Sequence, residues 1–119
     1  MSSGQKVRAS HILVKHQGSR RPASFRDSEG VTIKATTRDA AIIILQAFRD
    51  AIEAGKVDFD VVAARYSDCS SAKRNGDLGW FARGQMQKPF EDVTYALNVG
   101  EMSGIVDTDS GVHIILRTG

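Results

Sequence analysis

With a single cysteine, Cys69, the chain can form no intrachain disulfide and no multi-cysteine metal site. It also lacks a long apolar run. The longest uninterrupted aliphatic stretch, Ala40 to Leu45, falls far below the roughly 20 residues that a membrane span requires. No apolar signal core occupies the first ten residues, so a soluble, intracellular protein is expected. Neither charge sign is in excess, with 16 Lys and Arg against 14 Asp and Glu, and aromatics make up only 7%. That composition argues against a general nucleic-acid coat, and any basic function must be local. No internal repeat or low-complexity segment occurs. A length of 119 residues at 41% hydrophobic suits one domain with one core and excludes a second autonomous module.

Val7 to Lys15 is rich in Val, Ile and Leu and reads as a buried strand, with Ala9, His11 and Leu13 on one face and Ser10, Ile12 and Val14 on the other. From His16 to Thr36 the periodicity disappears and a long loop is expected. Residues 15–26 hold four cations, Lys15, Arg20, Arg21 and Arg26, and no acid; the chain's +2 less this +4 leaves −2 for the rest. A helix should start at Thr36 or Thr37, where a hydroxyl can cap free N–H groups, and stop at Gly55, burying Ala41, Ile44, Leu45, Phe48 and Ile52. Asp58 can cap a second helix through Tyr66, with Phe59, Val62, Ala63 and Tyr66 inward. Ser67 to Asp77 reads as a turn region, Leu78 to Phe81 as a short strand, and Pro89 stands at the favoured first position of a helix running to Leu97. Two strands, near Ile105 to Val106 and from Val112 to Arg117, close the chain around Asp109-Ser110-Gly111. Helices and strands do not alternate regularly, which favours an α+β sheet over a doubly wound parallel one.

Four groups of residues carry possible chemistry. Cys69, in a polar turn, is either a small core hydrophobe or a thiol activated by a nearby His or cation. His11 and His16 point apart and make a poor chelating pair. His11 and His113 would meet if the first and last strands are neighbours, as a buried hydrogen-bonded pair or as an active-site pair; without carboxylate or thiol partners at metal-ligand spacing they make a weak zinc case. Lys15, Arg20 and Arg21 form either a solvated face or a cluster converging on one phosphate, which guanidinium forks match. Arg21-Pro22-Ala23-Ser24 also has the form of a basophilic kinase target, and a modified Ser24 would compete for the same cations. Met86 and Phe90, four apart at a helix start, are core packing or an adaptable apolar wall that Leu78 could join.

Six stretches together resemble the parvulin peptidyl-prolyl isomerases, and within them the Pin-type branch that prefers phosphorylated Ser or Thr before proline. They are Ala9-Ser10-His11-Ile12-Leu13-Val14-Lys15-His16, Ser19-Arg20-Arg21-Pro22, Ser67-Asp68-Cys69-Ser70-Ser71-Ala72-Lys73, Gly76-Asp77-Leu78-Gly79, Arg83 through Glu91, and Asp109-Ser110-Gly111-Val112-His113-Ile114-Ile115. The resemblance implies a four-stranded antiparallel sheet surrounded by about four helices, an active site on the sheet face, and no cofactor or metal. It implies a phosphate clamp of Lys15, Arg20 and Arg21, and a proline pocket of Leu78, Met86 and Phe90. A catalytic polar network of Cys69, His11, His113, Thr108 and Ser110 follows in the same way, with Gln87 contacting the substrate backbone.

Only about six residues precede the first strand, so the chain is similar to the single-domain members without a WW module. Residues 1–119 are expected to form one isomerase domain, with 1–5 a flexible tail. The expected partners are phosphorylated Ser/Thr-Pro proteins, bound by a monomer of cytoplasm and nucleus with roles in protein folding and cell-cycle signalling. A phospho-Ser/Thr-Pro binding module with little turnover is the alternative. A few additional residues around Phe25 to Lys34 depart from the family pattern.

Overall fold

The apolar run near the N-terminus is strand β1 (Val7–Val14), in which every residue except Arg8 is buried. A strand covered on both faces must lie inside its sheet. In the computed structural model, which describes residues 5–119, β1 is flanked by β4 (Gly111–Arg117) and β2 (Asp77–Phe81). With β3 (Val106–Thr108) at the far edge, the strand order is β2-β1-β4-β3 and every pairing is antiparallel. The helices are α1 (Val31–Lys34), α2 (Arg38–Glu53), α3 (Phe59–Tyr66) and α4 (Lys88–Ala96), with a 3-10 turn at Ser70–Arg74. The fold is therefore α+β, a four-stranded antiparallel sheet with four helices around it. Of the tail expected at the N-terminus, residues 1–4 lie outside the described residues, and the Gln5 carbonyl accepts a hydrogen bond from the Tyr95 hydroxyl at 3.0 Å.

The alternation in β1 and β4 divides the core in two. Ile12, Val14, Val112 and Ile114 pack against Ala41 and Leu45 of α2 and Phe59, Val62 and Ala63 of α3. Val7, Ala9 and Ile115 face the other way, onto Phe81, Phe90, Leu97 and Val106. The second face also carries both strand histidines. In the β1–β4 register Leu13 lies opposite His113 and His11 opposite Ile115, so the two rings are diagonal neighbours on one side of the sheet.

Helix boundaries follow local chemistry. Thr37 caps α2 by accepting a hydrogen bond from the Ala40 amide at 3.0 Å, and Gly55, at φ 74°, ends it in the left-handed conformation. Ile44, expected inward, is 42% exposed. Ile42 and Ile44 lie about equally far to either side of the Ala41-Leu45-Phe48-Ile52 line; Ile42 packs on the core, while Ile44 lines a shallow groove beside Ile33 of α1. Asp58 occupies the cap position of α3, but its side chain makes no capping bond. Tyr66, expected inward, is 52% exposed, because it closes the helix at the rim and stacks on Phe48 with centroids 4.9 Å apart.

The segment read as a long loop is more ordered than its composition suggests. Ser24 and Asp27 form an antiparallel bridge, and the Asp27 carboxylate accepts hydrogen bonds from the amides of Val31, Thr32 and Ile33, each at 2.9 Å. Those bonds nucleate α1 from a β-branched sequence that has little helix preference of its own. They also hold the Asp27 pKa below its ordinary value.

Candidate active site

Sheet and helix together enclose an apolar cavity of about 200 Å³ lined by His11, Leu13, Cys69, Leu78, Met86, Gln87, Phe90, Ser110 and His113. Its residues come from β1, the turn after α3, β2, the segment leading into α4 and its first turn, the β3–β4 turn and β4. Close approach of the 3-10 turn to β1 depends on Gly76, which has φ 86° and would place a Cβ 2.6 Å from the His11 carbonyl oxygen. Leu78, Met86 and Phe90, expected as a proline pocket, share one wall. Phe90 is 4% exposed and meets both histidine rings edge-on, at 5.4 Å from His11 and 5.2 Å from His113.

Beneath that wall runs a chain of polar contacts. The Ser110 amide donates to Thr108 Oγ1 at 3.1 Å, Thr108 Oγ1 lies 2.7 Å from His113 Nε2, and His113 Nδ1 lies 3.0 Å from His11 Nδ1. Two facing Nδ1 atoms bond only if one carries the proton and the other a lone pair. The chain can run either way. If Thr108 donates, His113 holds its proton on Nδ1 and His11 on Nε2; if it accepts, the protons sit on His113 Nε2 and His11 Nδ1. Both arrangements are neutral, and in both His11 Nε2 stays buried without a hydrogen-bond partner.

Burial enforces that neutrality. It pushes His11 down to about 3, with the neighbouring His113 adding to the effect, and His113 down to about 4. In the unfolded chain both rings titrate near 6.5. Below that pH the unfolded state binds protons that the folded state refuses, so the pair's stabilising effect is complete above 6.5 and is lost as pH falls toward 4. Unfolding free energy should drop by up to about 1.4 kcal/mol per pH unit for each histidine between pH 6 and 4. Urea titrations across that window check this, and a flat profile would mean that the pair carries charge in the fold.

Cys69 is half-buried, with a free thiol, and lines both this cavity and an adjoining groove of about 480 Å³. Lys15, Arg21, Phe25, Ser28 and Asp68 are among the other residues that line the groove. Lys15 Nζ donates to the carbonyls of Arg21 at 3.1 Å and Ala23 at 2.7 Å, which folds the basic loop over the end of β1. Desolvation lowers the Lys15 pKa, with Asp68 opposing and nearby Arg21 adding to the shift. Arg20 does not line the groove, but its amide donates to the Asp109 carbonyl at 2.7 Å and so ties the loop to the β3–β4 turn. Among the described residues the guanidinium groups of Arg20 and Arg21 have no hydrogen-bond or ion-pair partner, and both side chains are exposed.

Gln87 lines the cavity with its amide already engaged, Nε2 donating to Ser110 Oγ at 2.7 Å and Oε1 accepting from the Asp109 amide at 3.2 Å. Its visible task is to hold the β3–β4 turn, whereas a substrate-backbone contact was expected. Ser24 is buried, with its hydroxyl donating to Asp68 at 3.0 Å, so a kinase would meet it only after the loop opens. His16 is buried in the turn after β1, where its Nδ1 accepts from the Gly18 amide at 3.0 Å, far from any chelating role. No trio of His, Cys, Asp or Glu that could hold a metal ion forms among the described residues.

Asp68 is the functional residue that sequence reasoning passed over. One carboxylate oxygen accepts from the Lys15 amide at 2.9 Å and the other from Ser24, fastening the basic loop to the residue next to Cys69. Arg26 adds bonds to the carbonyls of Ser67, at 2.8 Å, and Ala64. The only available signal was an acid directly before Cys69 and opposite an excess of cations.

Comparison with known proteins agrees with this geometry. The rotamase family model, described as a PPIC-type PPIase domain, matches residues 11–119. The peptidyl-prolyl cis-trans isomerase Pin1 of Malus domestica is 70% identical over 118 residues, covering 99% of this chain and 98% of that protein. The Arabidopsis thaliana protein of the same name is 65% identical over 118 residues, covering 99% of each. Among solved structures, the peptidyl-prolyl isomerase ESS1 of Candida albicans superposes with a TM-score of 0.93 at 45% identity, covering 100% of this chain and 66% of that one.

Proposed function

The chain belongs to the rotamase family of PPIC-type peptidyl-prolyl isomerase domains, and from that premise we propose that the bonds it turns are those between a phosphorylated Ser or Thr and proline. The observation that carries this reading is the pair of exposed guanidinium groups, Arg20 and Arg21, without a partner among the described residues, in the loop that Lys15 holds; Lys15 and Arg21 line a groove that adjoins the apolar cavity. In a phospho-Ser-Pro segment the phosphate sits one residue before the ring, so a cationic site next to an apolar one matches the order of the groups. Arg offers a bidentate fit to phosphate oxygens that a general surface charge does not.

An X-Pro bond rotates slowly because twisting breaks amide resonance, at a barrier of about 18–20 kcal/mol. No covalent bond has to break. A site that holds the ring on Leu78, Met86 and Phe90 and the phosphate on Lys15, Arg20 and Arg21 leaves rotation as the free coordinate. Favouring the twisted amide over both planar forms accelerates each direction alike and leaves the free-peptide equilibrium unmoved. The poorly hydrated network of Cys69, His11, His113, Thr108 and Ser110 faces the charge that separates on twisting. A thiol adduct would add a barrier of its own, so Cys69 acts through the local field. Cys69→Asp should accordingly keep substantial activity, and complete loss in a variant with native circular dichroism would instead identify a nucleophile.

Two-dimensional NMR exchange on matched Ser-Pro and phospho-Ser-Pro peptides tests the reading. Faster cis/trans exchange mainly in the phosphorylated peptide is expected. Binding without accelerated exchange would make the site a phosphopeptide reader, and equal acceleration of both peptides would remove the clamp. No helix among the described residues is long and apolar enough to cross a membrane. We place the enzyme as a monomer in cytoplasm and nucleus, acting on phosphorylated Ser/Thr-Pro proteins; its one unpaired thiol suits a reducing compartment.

A further inference from the structure

The groove that holds Lys15 and Arg21 is also lined by Phe25, Ser28 and Ser70, none of which lines the apolar cavity. Phe25 is 45% exposed, and two cations rest against its ring: Arg26, with Cζ 4.8 Å from the centroid, and Lys73 of the 3-10 turn, with Nζ at 5.4 Å. Their situations differ. Arg26 is held by the carbonyls of Ser67 and Ala64, whereas Lys73 makes no hydrogen bond or ion pair among the described residues. An ammonium seated on an aromatic face has surrendered part of its rotamer freedom before any ligand arrives, which lowers the cost of meeting one. The one acid lining the groove, Asp68, already accepts from Ser24 and the Lys15 amide. Arg26 and Lys73 thus set positive charge against Phe25 beside the groove, whose one lining acid, Asp68, is hydrogen-bonded to the loop.

With the prolyl ring in the cavity and the phosphate at Lys15 and Arg21, an extended peptide lays the residues that precede the phosphoresidue toward Phe25. We propose that Lys73, positioned by Phe25, forms a subsite for an acidic side chain in that preceding segment, so that the isomerase selects phospho-Ser/Thr-Pro sites lying in acidic sequence. The selection rests on the phosphate-directed reading above, and charge complementarity commits the subsite to an acid over an apolar or basic residue.

The test compares kcat/KM, by NMR exchange at low salt, for phospho-Ser-Pro peptides carrying Glu-Glu, Ala-Ala or Lys-Lys in the two preceding positions. The expected Glu-to-Ala ratio in the native protein is about fivefold, the scale of one exposed charge pair, with the Lys peptide below both. Lys73→Met keeps the apolar stem on Phe25 and should bring the ratio near one. Lys56→Met, an equal loss of charge at an exposed position after α2, should retain it. A native ratio of one overturns the proposal, and so does a ratio that survives Lys73→Met or falls equally in Lys56→Met. The same peptides without phosphate separate the two readings. If they turn over as fast as the phosphorylated ones while the Lys73-dependent ratio persists, the phosphate clamp fails and the acidic subsite stands.

Discussion

Replacing Arg20 and Arg21 together by alanine should lower kcat/KM for a phospho-Ser-Pro peptide by about a hundredfold or more, while a Ser-Pro peptide loses little. Each hydrogen bond to a charged group contributes about 1.5–3 kcal/mol, and of the three clamp cations the double variant keeps only Lys15, whose ammonium already donates to two loop carbonyls. The fold should not suffer, because both side chains are exposed and make no bond among the described residues. The loop is held by other atoms, namely the Arg20 amide on Asp109, Lys15 on the carbonyls of Arg21 and Ala23, and Ser24 on Asp68. Exchange spectroscopy on both peptides decides the matter. Equal losses on the two would show that the arginines shape the site and do not read phosphate.

The largest combined effect on stability and activity is expected from Phe90. Its ring is buried against Phe81 and stands edge-on to both histidines. Phe90→Ala should cost about 3–5 kcal/mol, a large part of the roughly 5–15 kcal/mol that holds such a domain together. Phe90→Leu should stay folded, yet it removes the flat face on which a prolyl ring would rest. A partial loss of ring burial, worth at most about 1.5–3 kcal/mol, corresponds to a ten- to hundredfold drop in kcat/KM. Urea unfolding and exchange rates for the two variants separate the contributions. Full activity in folded Phe90→Leu would move the proline site away from this cavity.

Much of the architecture was legible because it is local. Thr37 and Gly55 bracket α2, Pro89 opens α4, and the apolar alternation of β1 and β4 divides the core between two faces. Departures occur where one particular side chain, or the limit of the core, intervenes. The helix α1 exists through three bonds to Asp27, and four residues are too few to show a period. Ile44 and Tyr66 obey the helical stripe but run out of core to face. Of the site, every wall residue of the cavity except Leu13 was a candidate in the sequence, Gln87 and Ser110 through the family resemblance. The role of Asp68 was not legible, since its two partners lie 53 and 44 residues away.

The sequence by itself determined the chemistry available to this protein: one thiol, two strand histidines of the right parity, a basic segment without acids, and a Met-Phe pair four residues apart. Periodicity and capping are encoded within a few residues of one another, so these features survive without a fold. Only the tertiary structure decided that His11 and His113 face each other Nδ1 to Nδ1 as a neutral pair, because strand register and burial are properties of the assembled sheet. It alone also turned Lys15 onto loop carbonyls, left Arg20 and Arg21 without side-chain partners among the described residues, and seated Lys73 on Phe25. A charge becomes a binding group only when the fold has settled which of its neighbours neutralise it.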